Sequence, residues 1–357
     1  MKISKPSRAL SLTHQLLRVV GSPFANCARE NFDSKQTNTQ NTSRLYLYAT
    51  KNRMSLLYLE ALKRLDILAD LQEEYNKLID KYAKTNQAIY RVSHVLDRAG
   101  IDYAFFKSIR PYREVTVDID VLVFGPRAEY EKVVQVMRDV GYVFLGGGPL
   151  SVTFRDSEAG INLDIYYEVG VSYVTYLDKG FLKRFVCDRK LSNGEAVLSL
   201  FSEADLLAVI AHSVVKEHMY VLSEYYTTLY YLADMKDEAL ESFLFLVDEC
   251  RARSAVKTHL GITALLHYRV HCFIPACLSR LLRRLDMNHL ELYRLKEMGL
   301  NMPHKYHPIT TIKGLLEKFG EQKARRSFAS QSLNMLNLKF TSSLIKEMLR
   351  HASREAY

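Results

Sequence analysis

The sequence predicts an α/β (α+β) fold in which a long helix leads into a mixed β-sheet and a helical region follows the sheet. Three observations support this prediction. Apolar residues recur every three or four positions through residues 55–99, as in an amphipathic helix, and Gly100 follows as a stop. Short apolar or alternating segments between residues 101 and 168 have the pattern of strands. Beyond Leu198 the helical spacing returns and continues through most of the chain.

The length and composition are those of a globular protein. The chain has 357 residues, of which 48% are hydrophobic, enough for two domains or for one large domain with appendages. Charged residues interrupt every apolar stretch before it reaches the length of a membrane span, so we predict no membrane association. The five cysteines are scattered and odd in number, which argues against a disulfide framework. We therefore expect a reducing, cytoplasmic location.

Three segments are predicted along the chain. Residues 1–53 are rich in Ser, Asn and Thr and poor in acids, and we expect disorder or loose structure there. This basic segment resembles an organellar targeting sequence, but a start placed too early, with Met54 as the true beginning, explains it equally well. Residues 54–198 hold the predicted sheet and its leading helix, and residues 199–357 form a helical C-terminal region.

The positive charge lies mainly at the two ends of the chain. The net charge is +9. Residues 1–53 hold nine Lys and Arg against two Asp and Glu, and residues 304–357 hold ten against four, so the segment between them is net negative. The basic C-terminal segment could contact the phosphates of a nucleic acid, but we favour a solvated helical face as its explanation.

Two carboxylates share one face of a predicted strand. The segment of residues 117–124 is apolar except for Asp118 and Asp120. Side chains at positions i and i+2 of a strand lie on the same face, and two neighbouring carboxylates repel each other unless a cation lies between them. The odd-numbered positions are predicted to face a core: Val117, Ile119, Val121 and Val123. The pattern therefore predicts a divalent-metal site.

A third carboxylate follows on a later strand. Residues 161–168 alternate between apolar and polar side chains, and Asp164 lies on the polar face. Three carboxylates from adjacent strands suit metal-assisted phosphoryl transfer, in which two Mg²⁺ ions bridge the acids and a nucleoside triphosphate. We therefore expect Mg²⁺ as the cofactor and NTP as the donor substrate.

The stretch of residues 105–124, followed by Asp164, resembles the DNA polymerase β-like nucleotidyltransferase superfamily. The signature of that superfamily is a strand ending in a hydrophobic residue and Gly-Gly or Gly-Ser, about 9 to 13 further residues, and then Asp-hydrophobic-Asp/Glu. Here nine residues separate Ser108 from Asp118-Ile119-Asp120. Phe106-Lys107-Ser108 is similar to the Leu-Lys-Gly turn of a small-molecule or uncharacterised subgroup, which also has a long helix before the signature and helices after it.

The resemblance implies roles for five residues. Asp118 and Asp120 would bind both metal ions, and Asp164 would bind the catalytic ion and take the proton of the acceptor. Ser108 would contact the triphosphate, and Lys107 would add a positive charge there. The turn departs from the family pattern because it contains no glycine, the residue that lets a backbone approach phosphate closely.

Two arginines are further candidates for nucleotide binding. Arg110 and Arg113 lie in the loop between the turn and the acids, where a guanidinium would meet a phosphate. A solvated loop position explains them nearly as well.

The reaction predicted from these residues is Mg²⁺-dependent transfer of a nucleoside monophosphate from NTP to a hydroxyl acceptor, with release of pyrophosphate. The sequence does not identify the acceptor. One alternative is a non-catalytic relative that binds a nucleotide or a partner protein, because the turn lacks glycine. A second is a metal-dependent glycosyltransferase, which also carries an Asp-x-Asp motif. In that class the apolar strand usually precedes the acids, whereas here residues 121–124 continue it, so we rank it below the others.

Overall fold

The computed structural model describes residues 8–25, 39–287, 304–306, 308–337, 341, 342 and 346. Its helices of more than one turn, in chain order, are α1 Arg8–Val20, α2 Thr39–Lys51, α3 Ser55–Arg64, α4 Gln72–Arg98, α5 Arg127–Asp139, α6 Lys179–Leu182, α7 Ser202–Ala211, α8 Leu222–Asp234, α9 Asp237–Glu249, α10 Arg253–His271, α11 Ala276–Arg284, α12 Pro308–Lys318 and α13 Gln322–Asn334. None of the described helices is both long and apolar enough to cross a membrane.

A seven-stranded mixed sheet forms the centre of the fold. Its strands are β1 Tyr103–Phe105, β2 Asp118–Val123, β3 Val143–Gly147, β4 Ser151–Asp156, β5 Ile161–Tyr166, β8 Val186–Lys190 and β9 Ala196–Leu200, and two further pairs are β6 Val169–Val171 with β7 Val174–Leu177 and β10 Met219–Tyr220 with β11 His304–Lys305. The order is β3-β4-β5-β2-β1-β9-β8, with β2 parallel to β5 and β1 parallel to β9. The other neighbours in the sheet run antiparallel. The predicted α/β class with a mixed sheet, a long preceding helix and following helices is confirmed.

Strand β2 lies in the middle of the sheet and is covered on both faces. Ile119, Val121 and Val123 are fully buried in a core shared with α4 and α5, as predicted. Leu122 points the other way and is fully buried in a second core, formed largely by the helical part of the chain. The prediction that Val117 faces a core is wrong: this side chain is 58% exposed, because the strand begins only at Asp118.

The two N-terminal helices belong to the helical core. Leu16 and Leu17 in α1 and Leu45 and Ala49 in α2 are at most 1% exposed, and α1 packs on α2, α3 and α10. The expectation of loose structure is therefore wrong for residues 8–25 and 39–53; residues 1–7 and 26–38 lie outside the described part of the chain. This polar segment contains two amphipathic helices that pack on each other and on α3, and α1 also packs on α10, some 240 residues later in the chain.

The predicted division of the chain after residues 53 and 198 stays a prediction, since the helical core draws residues from all three segments. The helical region predicted beyond Leu198 is present in the described part of the chain, where helices lie between Ser202 and Asn334. The strands between residues 169 and 200 were not predicted. Two of them extend the sheet: β9 pairs with β1, and β8 pairs with β9 at the edge.

Candidate metal centre

The parallel pairing of β2 and β5 brings the three acids together. Asp120 is the register partner of Asp164, and Asp118 is the partner of Asn162. Paired residues of neighbouring strands point to the same face, so all three carboxylates emerge on one side of the sheet. One carboxylate oxygen of each of Asp118, Asp120 and Asp164 lies within 4.8 Å of the corresponding oxygens of the other two.

This set of donors fits a hard divalent cation, which prefers oxygen ligands. The pKa of Asp120 is raised to about 7, chiefly by burial; the charge of Lys107 lowers it, and the charges of Asp118 and Asp164 raise it. Burial also raises the pKa of Asp164, although the hydroxyl of Thr153 donates to Asp164 Oδ1 at 2.6 Å and acts the other way. Burial thus disfavours the charged form of both acids, and a bound cation would favour it.

The turn between β1 and β2 is formed without glycine. Lys107 has a φ of +61°, a left-handed conformation that glycine usually supplies. Its backbone N–H donates to Asp205 Oδ1 at 2.5 Å. The Ser108 hydroxyl donates to the Phe106 carbonyl at 3.1 Å and accepts from the Asp120 N–H at 2.6 Å. Ser108 is thus buried within the turn, and its predicted contact with a triphosphate stays a prediction.

The ammonium group of Lys107 lies among the acids. Its Nζ is 3.2 Å from Asp120 Oδ1 and 3.2 Å from His212 Nδ1. The rings of Phe106 and Tyr166 lie beside it, with centroids at 4.6 Å and 5.2 Å. The side chain of Lys107 is only 7% exposed. Lys107 therefore supplies the predicted positive charge at the site, and its ammonium pairs directly with Asp120, a predicted metal ligand.

The two predicted phosphate-binding arginines contact helices instead of the acids. Arg110 Nη1 donates to Thr227 Oγ1 in α8 at 3.0 Å. Arg113 pairs with Glu60 in α3 at 2.8 Å and lies against the ring of Tyr82. The structure does not bring either side chain into the carboxylate cluster, and their role in nucleotide binding stays a prediction.

One wall of the site comes from residues 212–217, a π-helical turn that continues α7. Its wider turn places His212 beside Lys107 and Tyr176, and it places Lys216 Nζ 3.2 Å from the Tyr166 hydroxyl. Burial, with help from Lys107, lowers the pKa of His212 well below 6.5, so its imidazole is neutral. Lys216 opposes the raised pKa values of Asp120 and Asp164 through its charge. Such π-helical turns are frequent at functional sites.

Neither Lys216 nor Tyr166 was among the predicted site residues. The sequence offered one weak signal, a histidine and a lysine at positions 212 and 216 after the apolar stretch of residues 204–211.

The chain matches no protein-family model and no curated protein. Among solved structures it is similar to a STING-associated CdnE c-di-GMP synthase from Capnocytophaga granulosa. The two share 12% identity, the alignment covers 82% of this chain and 99% of that one, and the TM-score is 0.28.

Proposed function

We propose that this chain is a metal-dependent nucleotidyltransferase that transfers a nucleoside monophosphate from NTP to a hydroxyl acceptor and releases pyrophosphate. The observation that carries the proposal is the convergence of Asp118, Asp120 and Asp164 on one face of two adjacent parallel strands. A polar turn and two lysines lie beside these acids, which is the setting that a negatively charged triphosphate requires.

In this proposal the acids hold Mg²⁺. Asp118 and Asp120 contribute from β2 and Asp164 from β5. When bound, Mg²⁺ would favour deprotonation of the acceptor hydroxyl and neutralise charge on the leaving pyrophosphate. The hydroxyl oxygen attacks the α-phosphorus, and the bond from that phosphorus to the bridging oxygen of pyrophosphate breaks.

Asp164 is the candidate proton acceptor for the attacking hydroxyl. Its pKa is raised by burial, and a carboxylate with a raised pKa is a stronger base. The hydrogen bond from Thr153 fixes the orientation of its side chain. Lys216, at the edge of the site, would contribute positive charge toward the phosphates.

A non-catalytic module that binds nucleotide or a partner protein remains the second candidate. The observation in its favour is that Lys107 already neutralises part of the charge of Asp120. The glycosyltransferase alternative gains no support, because β2 continues past the acids to Val123 and the described residues before β1 form helices and no strand.

The decisive experiment measures transfer of an α-phosphate label from each of the four NTPs to a panel of small hydroxyl compounds, proteins and RNA. We expect Mg²⁺-dependent transfer by the wild type and its loss in Asp118→Asn. Asp188→Asn, an exposed carboxylate on β8, is the matched control and should behave as the wild type. Thermal stabilisation by NTP and Mg²⁺ with no transfer to any acceptor would favour the binding module. If NTP and Mg²⁺ have no effect in either assay, the proposal is wrong.

A further inference from the structure

We infer that the Lys107 ammonium takes the place of one of the two metal ions at this centre, so that the acids of this chain bind a single divalent cation. This inference rests on the proposed function, and it concerns the number of ions that these residues accept.

The backbone of Lys107 is held in position from the opposite side of the site. Its N–H donates to Asp205 Oδ1, and Asp205 Oδ2 accepts from the hydroxyl of Tyr231 at 2.6 Å. Arg189 in turn donates to that hydroxyl at 3.0 Å. This chain of contacts ties the turn to α7 and α8, so that the start of the lysine side chain is fixed.

The ammonium itself lies in a slot suited to a cation. Asp120 and His212 each offer an acceptor at 3.2 Å, and two aromatic rings flank the group. His212 Nε2 lies 3.5 Å from Glu217 Oε1, an arrangement that places the proton on Nε2 and leaves the Nδ1 lone pair facing Lys107. Movement of the ammonium toward water is unfavourable, because it would leave the nearly buried Asp120 carboxylate unpaired.

The charges then allow one divalent ion. Three carboxylates and the Lys107 ammonium leave two negative charges, and Lys216 at the edge of the site offsets these further, so one divalent cation is enough to balance the charge of the acids. Asp120 Oδ1 faces the ammonium, so a second ion that used Asp120 as a shared ligand would have to lie close to a fixed like charge. Removal of the ammonium should open that position.

The test counts bound ions with Mn²⁺ alone. Purified full-length protein is titrated with Mn²⁺, free Mn²⁺ is followed by electron paramagnetic resonance, and the spectrum of the bound ions shows whether they are isolated or magnetically coupled. We expect one isolated ion per chain in the wild type, and two coupled ions in Lys107→Gly and Lys107→Met. Glycine adopts a φ of +61° without strain, so Lys107→Gly should keep the turn, and circular dichroism checks its folding.

Lys132→Met, which removes an exposed lysine of α5, is the matched control and should bind one ion. Two ions in the wild type, or one ion in a folded Lys107 variant, would overturn the inference and leave the proposed function standing. No bound ion in the wild type would also overturn the inference, and the transfer assay with NTP and Mg²⁺ decides the proposed function separately. The wild-type count is informative by itself, even if neither Lys107 variant folds.

Discussion

Replacement of Asp205 tests whether the turn depends on a contact made nearly 100 residues away in the chain. Asp205 is 2% exposed, and its two carboxylate oxygens accept from the Lys107 N–H and the Tyr231 hydroxyl. Asp205→Leu keeps the branched shape of the side chain, although it is larger, and removes both acceptors. Hydrogen bonds to a charged group contribute about 1.5–3 kcal/mol each, so the loss should be about 3–6 kcal/mol. Asp205→Asn keeps the acceptor for Lys107 and should cost about 1–2 kcal/mol.

The free energy of unfolding from urea titrations, followed by circular dichroism, measures both variants. The predicted loss for Asp205→Leu is a large part of the roughly 5–15 kcal/mol that stabilises a typical domain, so its midpoint should fall clearly below that of Asp205→Asn. The reasoning is refuted if Asp205→Leu loses less than about 1 kcal/mol, or if the two variants are equally stable, because the contact to Lys107 would then contribute little.

Three further predictions follow from single contacts. In α2, Leu45→Ala should cost about 2–5 kcal/mol in unfolding free energy because Leu45 is 1% exposed, while Leu47→Ala at a 64% exposed position should stay within about 0.5 kcal/mol; equal effects would mean that α2 does not pack in the core. Burial raises the pKa of Glu224 from 4.5 to about 7, so the native state keeps a proton that the unfolded state loses between these values, and wild-type stability falls there by about 1.4 kcal/mol per pH unit. Glu224→Gln does not titrate and should gain stability relative to wild type between pH 4.5 and 7; the same difference at pH 4 and pH 8 would contradict this. Thr153→Val removes the hydrogen bond that lowers the pKa of Asp164, so the acidic limb of the transfer rate should move to higher pH, and an unchanged profile would exclude Asp164 as the base.

The three acids of the site were predictable because their positions follow from the local periodicity of two strands. Asp118 and Asp120 share a face by the two-residue period of a strand, and the alternation around Asp164 fixes its side in the same way. The sheet class followed from the same periodicity. The burial of both faces of β2 was not predictable, since it depends on helices that reach the sheet from distant parts of the chain.

The contributions of Asp205, His212 and Lys216 to the site were not predictable, because they depend on contacts between distant parts of the chain. Asp205 ends a Ser202-Glu203-Ala204-Asp205 pattern, which as sequence indicates a capping box at a helix start. In the structure the N-cap is Phe201, without a side-chain cap, and the Asp205 carboxylate binds Lys107. A contact across 98 positions leaves no trace in local spacing. The π-helical turn that places His212 and Lys216 near the acids is likewise not evident from local spacing.

Lys107 accounts both for the absence of glycine from the turn and for the buried ammonium group beside the acids. A left-handed conformation costs a residue with a side chain about 1–2 kcal/mol, and the hydrogen bond from the Lys107 N–H to Asp205 is strong enough to offset it. Glycine at position 107 would remove that cost, but it could not place a charge beside Asp120. With lysine at position 107 the turn adopts a less favourable backbone conformation, but it places an ammonium 3.2 Å from the Asp120 carboxylate. Without that ammonium, Asp120 would need a metal ion to balance its charge. Because one side chain produces both effects, any function that depends on the acids must work with Lys107 in place.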